Sequence, residues 1–158
     1  MTSHIRLRKT VLSDLDHFYT FQLDKEANYI AAFTAIDSHN RTAYLQKYSK
    51  FLDDPTIHMR TIIVNGLIAG SLAKFVMHGD TEITYWIDKP YWGQGITTAA
   101  LTEFLTLETA RPIIGRTAFD NVGSQKVLEK CGFVRIGTDK GFANARQAEI
   151  EEYIYKLG

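Results

Sequence analysis

Residues 82–101 read EITYWIDKPYWGQGITTAAL, and no other stretch limits the possible fold as much. Alternation over 82–88 predicts a strand, and apolar residues recur at helical spacing from Ile96 onward. Gly93 and Gly95 lie between the two. Glycine adopts positive φ without penalty and lets a backbone close on a ligand. A strand that turns through glycines into a helix therefore aims free amides, and roughly half a positive charge of dipole, at an anion. The amides of Gly93, Gln94, Gly95, Ile96 and Thr97 are the expected donors, with a hydroxyl from Thr97 or Thr98 beside them.

Two common anion loops do not fit. A Walker loop needs Gly-Lys-Ser/Thr after a four-residue gap, and Ile96 stands where the lysine should be. The dinucleotide fingerprint needs a third glycine, and Thr98 occupies its place. Asp120 imitates the ribose-binding acid, but only 38 residues follow it (158 less 120). That leaves no room for a second mononucleotide-binding half.

Around the loop the chain reads as one domain over residues 1–158, without repeat or linker. HIRLRKT (4–10) predicts a strand. Ser13-Asp14 caps a short helix carrying Leu15, Phe18 and Tyr19. Residues 24–37 are a helix and then a loop, and Ser38 caps a second helix with Tyr44, Leu45, Tyr48, Phe51 and Leu52 on one face. Residues 57–88 form a three-stranded meander, with hairpin turns at Asn65-Gly66 and at His78-Gly79-Asp80. A helix over 95–109 turns Ala100, Leu101, Phe104 and Leu105 inward. Residues 112–119 are a buried strand and 120–133 a helix, with Asp120 or Asn121 as cap and Gly132 at its end. Strands 133–142 and 147–157, joined by GFANARQA (141–148), complete the order β-α-α-β-β-β-α-β-α-β-β. Strands 82–88 and 112–119, linked by a helix, run parallel, whereas the meander is antiparallel. The fold class is α/β of the α+β type, a mixed sheet with a crevice at the carboxyl ends of its parallel pair.

Composition narrows the partners. Eighteen Lys and Arg balance eighteen Asp and Glu, which argues against nucleic acid, whose binding needs many phosphate-neutralising cations. No apolar run approaches membrane-span length and no basic-then-apolar leader follows Met1, so a cytoplasmic protein is expected. The one cysteine, Cys131, allows no internal disulfide.

KPYWGQGITTAAL resembles motif A of the GNAT superfamily of N-acetyltransferases, Arg/Gln-x-x-Gly-x-Gly/Ala, with Pro90 at the first position. The Trp-Gly-x-Gly form is most similar to the branch that holds ribosomal-protein N-terminal acetyltransferases. NVGSQKVLEKCGF (121–133) resembles that family's Asn-x-x-Ser…Glu-Lys-x-Gly-Phe helix, and the two matches with the element order cover residues 4–157. The resemblance implies a GNAT fold, a sheet of six or seven strands flanked by about four helices, whose parallel strands splay. It also implies acetyl-CoA as co-substrate, without a metal, and a diphosphate on the 93–97 loop.

For the chemistry, the resemblance implies that the pantetheine arm lies between strands 82–88 and 112–119. Backbone groups of Trp86, Ile87 and Asp88 would bond the arm, and an N–H near Tyr85 or Trp86 would polarise the thioester carbonyl. Asn121 matches the family asparagine that contacts pantetheine. Many GNAT enzymes carry a tyrosine seven residues after it as acid for the thiolate; Leu128 stands there instead. Ser124 matches a serine of the resembling branch that attends the sulfur. Glu82, early on a strand that often supplies the base, shares a face with Thr84 and Trp86 and is the first candidate for general base. His78 and Tyr85 are weaker candidates. Cys131, near a helix end among apolar neighbours, is expected to pack rather than to react. The acceptor, a small-molecule amine or a protein N-terminus, is expected against residues 24–37 and 141–148, with Tyr29, Phe33, Phe142, Ala143 and Asn144 as wall. The expected reaction is direct attack in a ternary complex; a non-catalytic acyl-CoA sensor is the alternative. Edge-strand pairing would permit a homodimer.

Overall fold

The computed structural model describes residues 4–158. In chain order its elements are β1 (Ile5–Lys9), α1 (Leu15–Gln22), α2 (Lys25–Ala31), α3 (Arg41–Asp53), β2 (His58–Val64), β3 (Leu67–Met77), β4 (Asp80–Ile87), α4 (Ile96–Leu107), β5 (Ile113–Ala118), α5 (Val122–Lys130), β6 (Val134–Ala143) and β7 (Ala148–Leu157). Single 3-10 turns at Leu12–Asp14 and Lys89–Tyr91 lead into α1 and into the glycine loop. Seven strands form one sheet in the order β1-β2-β3-β4-β5-β7-β6. Every pair is antiparallel except β4–β5.

Side-chain alternation divides the sheet into two apolar layers. Ile62, Leu72, Ile83 and Ile113 pack against Ile96, Ala100, Leu101 and Phe104 of α4 and Leu128 of α5, all essentially buried. On the opposite face Met59 and Ala73 meet Leu15 and Phe18 of α1 and the Tyr44, Tyr48 and Phe51 stripe of α3. The hairpin turns are those the sequence predicts. Asn65 and Gly66 have φ of 50° and 84°, and His78 and Gly79 51° and 82°, the left-handed values that a two-residue hairpin requires.

Five α-helices flank the sheet, in keeping with the about four that the resemblance implies. The sequence reading needs three corrections. Helix α1 lacks a side-chain cap: the Asp14 carboxylate instead accepts from the Val11 amide, Arg8 and Thr61. Asn40, not Ser38, caps α3 by accepting from the Ala43 amide at 3.0 Å, because residues 37–40 form a turn that ends at Asn40. The β6–β7 connection spans only Asn144–Gln147. Gly141 continues the extended strand there, and positive φ falls on Gln147.

Where β4 leaves its parallel partner, the sheet is bulged. The β2–β3 register shifts at Ile62/Ile63, leaving Ala69 as the extra residue between Gly70 and Ile68. A bulge strengthens the local twist and bends its strand. Gly70 faces Ile87, and a Cβ on it would lie 2.2 Å from the Trp86 carbonyl oxygen. Strands β4 and β5 then pair at only two positions, Glu82↔Ile114 and Ile83↔Gly115. Beyond them Thr84–Ile87 stays on β3 and 116–118 stays on β7. The parallel pair is splayed, as the resemblance implies.

Candidate active site

The splay opens onto a cavity on each side of the sheet. The first, of about 520 Å³, is lined by Trp92, Gly93, Gly95, Ile96, Thr97 and Thr98 of the glycine loop and by residues of α5. Gly93 and Gly95 have φ of 73° and 74°, which only glycine adopts freely. No atom lies within 4 Å of where a Cβ would stand on either, so the space before the loop is clear. No side chain caps α4; its first intrahelical bond runs from the Ala99 amide to the Gly95 carbonyl. The amides of Ile96, Thr97 and Thr98 thus have no helical acceptor and face a clear space. The donors, the helix dipole and the absent Cβ atoms fit a diphosphate.

Neighbouring contacts make the loop rigid. Trp92 Nε1 donates to the Ile87 carbonyl at 3.0 Å, and Gln94 Nε2 to the Pro90 carbonyl at 2.9 Å. Gln94 and Asp88 do not line the cavity. The Asp88 amide is bonded to the Ala69 carbonyl at 2.8 Å, and its side chain accepts from the Lys89 amide. Trp86 and Ile87 do line it. Helix α2 closes the roof with Ala27, Ile30 and Ala31. Lys89 pairs with Glu26 at 2.5 Å. At the other end Arg146 forks onto Asp120 at 2.9 Å through both terminal nitrogens and donates to the Tyr29 carbonyl. That pairing holds the Asp120 carboxyl below its ordinary range.

The second cavity, of about 490 Å³, lies between the sheet and helices α1 and α3. Its floor carries Glu82, Thr84 and Trp86, the one-face set that alternation predicts. Glu82 is 3% exposed and accepts from Arg116 Nε at 3.1 Å. Arg116 Nη1 also approaches Glu152 at 3.4 Å. Burial, partly offset by Arg116, raises the Glu152 carboxyl above its usual range, with Asp139 and Glu82 adding to the rise. Of the wall residues expected from sequence, Phe33 lines this cavity. Phe142 is exposed, Tyr29 lies under Arg146, and Ala143 packs on Ala32 and Ala118. Asn144 donates to the Thr34 carbonyl at 2.7 Å and so holds the loop.

Tyr85, Trp86, Asn121 and Ser124 belong to both cavities. Asn121 caps α5 by accepting from the Ser124 amide at 3.2 Å, and this turns the Ser124 side chain toward β4. There Ser124 Oγ meets the Tyr85 hydroxyl at 2.7 Å. Burial pushes the Tyr85 phenol far up, against the Ser124 bond that lowers it, so it stays neutral. Leu128 fills the core beneath, its Cδ2 2.8 Å from where a Cβ of Gly115 would stand. Trp86 Nε1 and Thr117 Oγ1 are buried without a hydrogen-bond partner. His78 lies in the exposed β3–β4 turn and Cys131 at the end of α5; neither lines a cavity. Among the described residues no group of three His, Cys, Asp or Glu could hold a metal ion.

A family model described as an acetyltransferase (GNAT) domain matches residues 4–134. The chain belongs to the GNAT acetyltransferase family. Among solved structures it is similar to a ribosomal L7/L12 alpha-N-protein acetyltransferase in complex with coenzyme A, with TM-score 0.79, 19% identity and coverage of 97% of this chain and 93% of the other. The Microcin C7 self-immunity acetyltransferase in complex with acetyl-CoA and AMP gives TM-score 0.79 at 18% identity, covering 97% and 91%. A Mycobacterium smegmatis RimJ in complex with CoA-disulfide gives 0.79 at 21%, covering 97% and 81%. The first of the three is an acetyltransferase of the ribosomal-protein type that the glycine loop resembles. No curated protein sequence matches the chain. The membership makes this chain an N-acetyltransferase, and no helix among the described residues is long and apolar enough to cross a membrane.

Proposed function

We propose that the two cavities take the two substrates of an amine acetylation and that transfer occurs where they meet. The single observation carrying this reading is the set of five residues, Ala31, Tyr85, Trp86, Asn121 and Ser124, common to both cavities beside the splayed strands. The diphosphate of acetyl-CoA sits on the amides from Gly93 to Thr98, and its arm runs along the free edge of β4 past Trp86 and Ile87 toward Asn121. The acceptor amine enters between the sheet and helices α1 and α3. Its lone pair attacks the thioester carbonyl carbon, the carbon–sulfur bond breaks, and acetamide and thiol result. The amine proton passes to Glu82, directly or through water, and the thiolate departs hydrogen-bonded by the Ser124 hydroxyl, which Tyr85 orients, and takes its proton from solvent. A backbone N–H near Tyr85 or Trp86 stabilises the oxyanion.

The relatives in complex with coenzyme A or acetyl-CoA support the first cavity's assignment. The acceptor is a primary amine, a small molecule or a protein N-terminus, and the ribosomal L7/L12 acetyltransferase among the similar structures supports the latter. The single, partly buried cysteine suits a reducing compartment such as the cytoplasm. Calorimetry with acetyl-CoA and with desulfo-CoA tests the reading, alongside thiol release on a panel of amines. Gly95→Val should weaken both ligands at least about tenfold, since a side chain there is strained and stands in the anion's path. Unchanged affinity would overturn the assignment.

A further inference from the structure

The cavity assigned above to the acceptor has walls and floor of different chemistry. Its walls are aromatic. Phe18 and Phe21 come from α1, Phe33 from the segment after α2, and Tyr44 and Tyr48 from α3. The Tyr44 and Tyr48 rings stack at 4.3 Å between centroids, and Tyr19 meets Tyr44 edge-on at 5.3 Å. Burial pushes both wall phenols above their ordinary range, so the walls stay uncharged at neutral pH.

The floor is ionic, and its charges do not cancel. Glu82 and Glu152 share the one guanidinium of Arg116, at 3.1 and 3.4 Å. Two carboxylates against one cation leave one negative charge. Asp37 and Lys47, the other charged lining residues, offset each other. Burial leaves the Glu152 anion incompletely compensated, as its raised carboxyl reflects. One further cation at the floor would complete the pairing.

Resting on the assignment of this cavity to the acceptor, we propose that the acceptor is an aromatic monoamine. It carries one ammonium for Glu82 and Glu152 and a ring for the wall of Phe18, Tyr44 and Tyr48. A space of about 490 Å³ is within the range that small-molecule sites occupy, and a ring on a short chain fits it. A polyamine would bring further ammonium groups to walls whose one other carboxylate, Asp37, is already matched in charge by Lys47. An amino acid would bring its own carboxylate to a floor already one charge negative, with Arg116 engaged twice.

Equilibrium binding on the protein preloaded with coenzyme A tests this without requiring turnover. The probes are phenethylamine, tryptamine, spermidine, phenylalanine and a hexapeptide beginning with serine. The two aromatic monoamines should bind at least about tenfold more tightly than the other three, the size of effect that ring contacts and one desolvated charge pair produce. Glu152→Gln should weaken the aromatic amines about tenfold, and Tyr48→Leu, which keeps an apolar wall, should narrow their preference over spermidine. Circular dichroism checks that each variant is folded, and Glu152→Gln alone suffices if Tyr48→Leu is not. Equal or tighter binding of spermidine, phenylalanine or the peptide overturns the proposal. Failure of coenzyme A to bind would instead sink the cofactor assignment, and the amine series is then read on the protein alone by the same criterion.

Discussion

A phenol carries one proton, and at Tyr85 two acceptors compete for it: the Ser124 carbonyl at 3.2 Å and Ser124 Oγ at 2.7 Å. When the bond runs to Oγ, the serine proton is free to point at whatever lies beyond, in the space common to both cavities. Strand β4 thus supplies a tyrosine hydroxyl close to the place from which α5, with Leu128, cannot. Ser124→Ala should lower kcat roughly 100-fold with little change in KM for acetyl-CoA, the scale of one lost hydrogen-bond donor to charge that develops in the transition state. Tyr85→Phe should lower kcat about tenfold, equivalent to one net hydrogen bond of ~1.4 kcal/mol. The double variant should be no slower than Ser124→Ala, because the phenol acts only through the serine. Steady-state kinetics of the three variants checks this, and additive losses would show two independent roles.

At the scale of elements, two contacts set where the strands lie. The bulge at Ala69 and the bare Cα of Gly70 let β3 approach the Trp86 carbonyl and carry the end of β4 away from β5. Gly70→Ala cannot keep that approach, because the opposing atom belongs to backbone. It should cost about 1–3 kcal/mol in urea unfolding and weaken coenzyme A binding as the splay alters. At the other end, Asp14 is 1% exposed and joins β1, α1 and β2 through Arg8, the Val11 amide and Thr61. Burial opposes its ionisation, but these bonds prevail and hold its carboxyl below the ordinary value. The folded carboxyl is therefore the stronger acid. Its contribution is complete above the unfolded value of about 3.9 and is lost as pH falls through the depressed folded one. Asp14→Asn should lower stability by about 3 kcal/mol near neutral pH, with the gap to the wild type closing in acid, as urea midpoints measured from pH 2 to 7 would record. These examples also show what the sequence could reveal. The glycine loop, the hairpin turns and the inward face of α4 are governed by residues a few positions apart, so they are legible in the string. Arg116 on Glu82, Tyr85 on Ser124 and Arg146 on Asp120 join residues 34, 39 and 26 positions apart, and neither period nor motif records such pairings. Phe142 stands outside the cavity because strand β6 runs through Gly141 to Ala143 and leaves its ring exposed.

For the molecule as a whole, the layered sheet makes direct transfer the simplest chemistry. Helix α4 lines one cavity and helices α1 and α3 the other, while α2 and α5 reach both beside the gap between β4 and β5. Both substrates can be held at once, and neither must leave for the other to enter. A relay through an acyl-enzyme would need a nucleophile at that gap. The hydroxyls common to both cavities belong to Tyr85, which burial keeps neutral, and to Ser124, whose Oγ has only the Tyr85 hydroxyl as side-chain partner. Cys131 lies at the far end of α5, its sulfur 3.6 Å from Thr102 Oγ1 and 3.7 Å from the Thr98 carbonyl. Thiols react through the thiolate, and the two hydrogen-bond partners of this one are uncharged. Initial rates with acetyl-CoA and amine both varied should therefore give intersecting double-reciprocal lines, and Cys131→Ser should keep kcat within about twofold. Parallel lines, together with an acetyl group retained on the protein after gel filtration in the absence of amine, would require a covalent intermediate and a different reading of the gap.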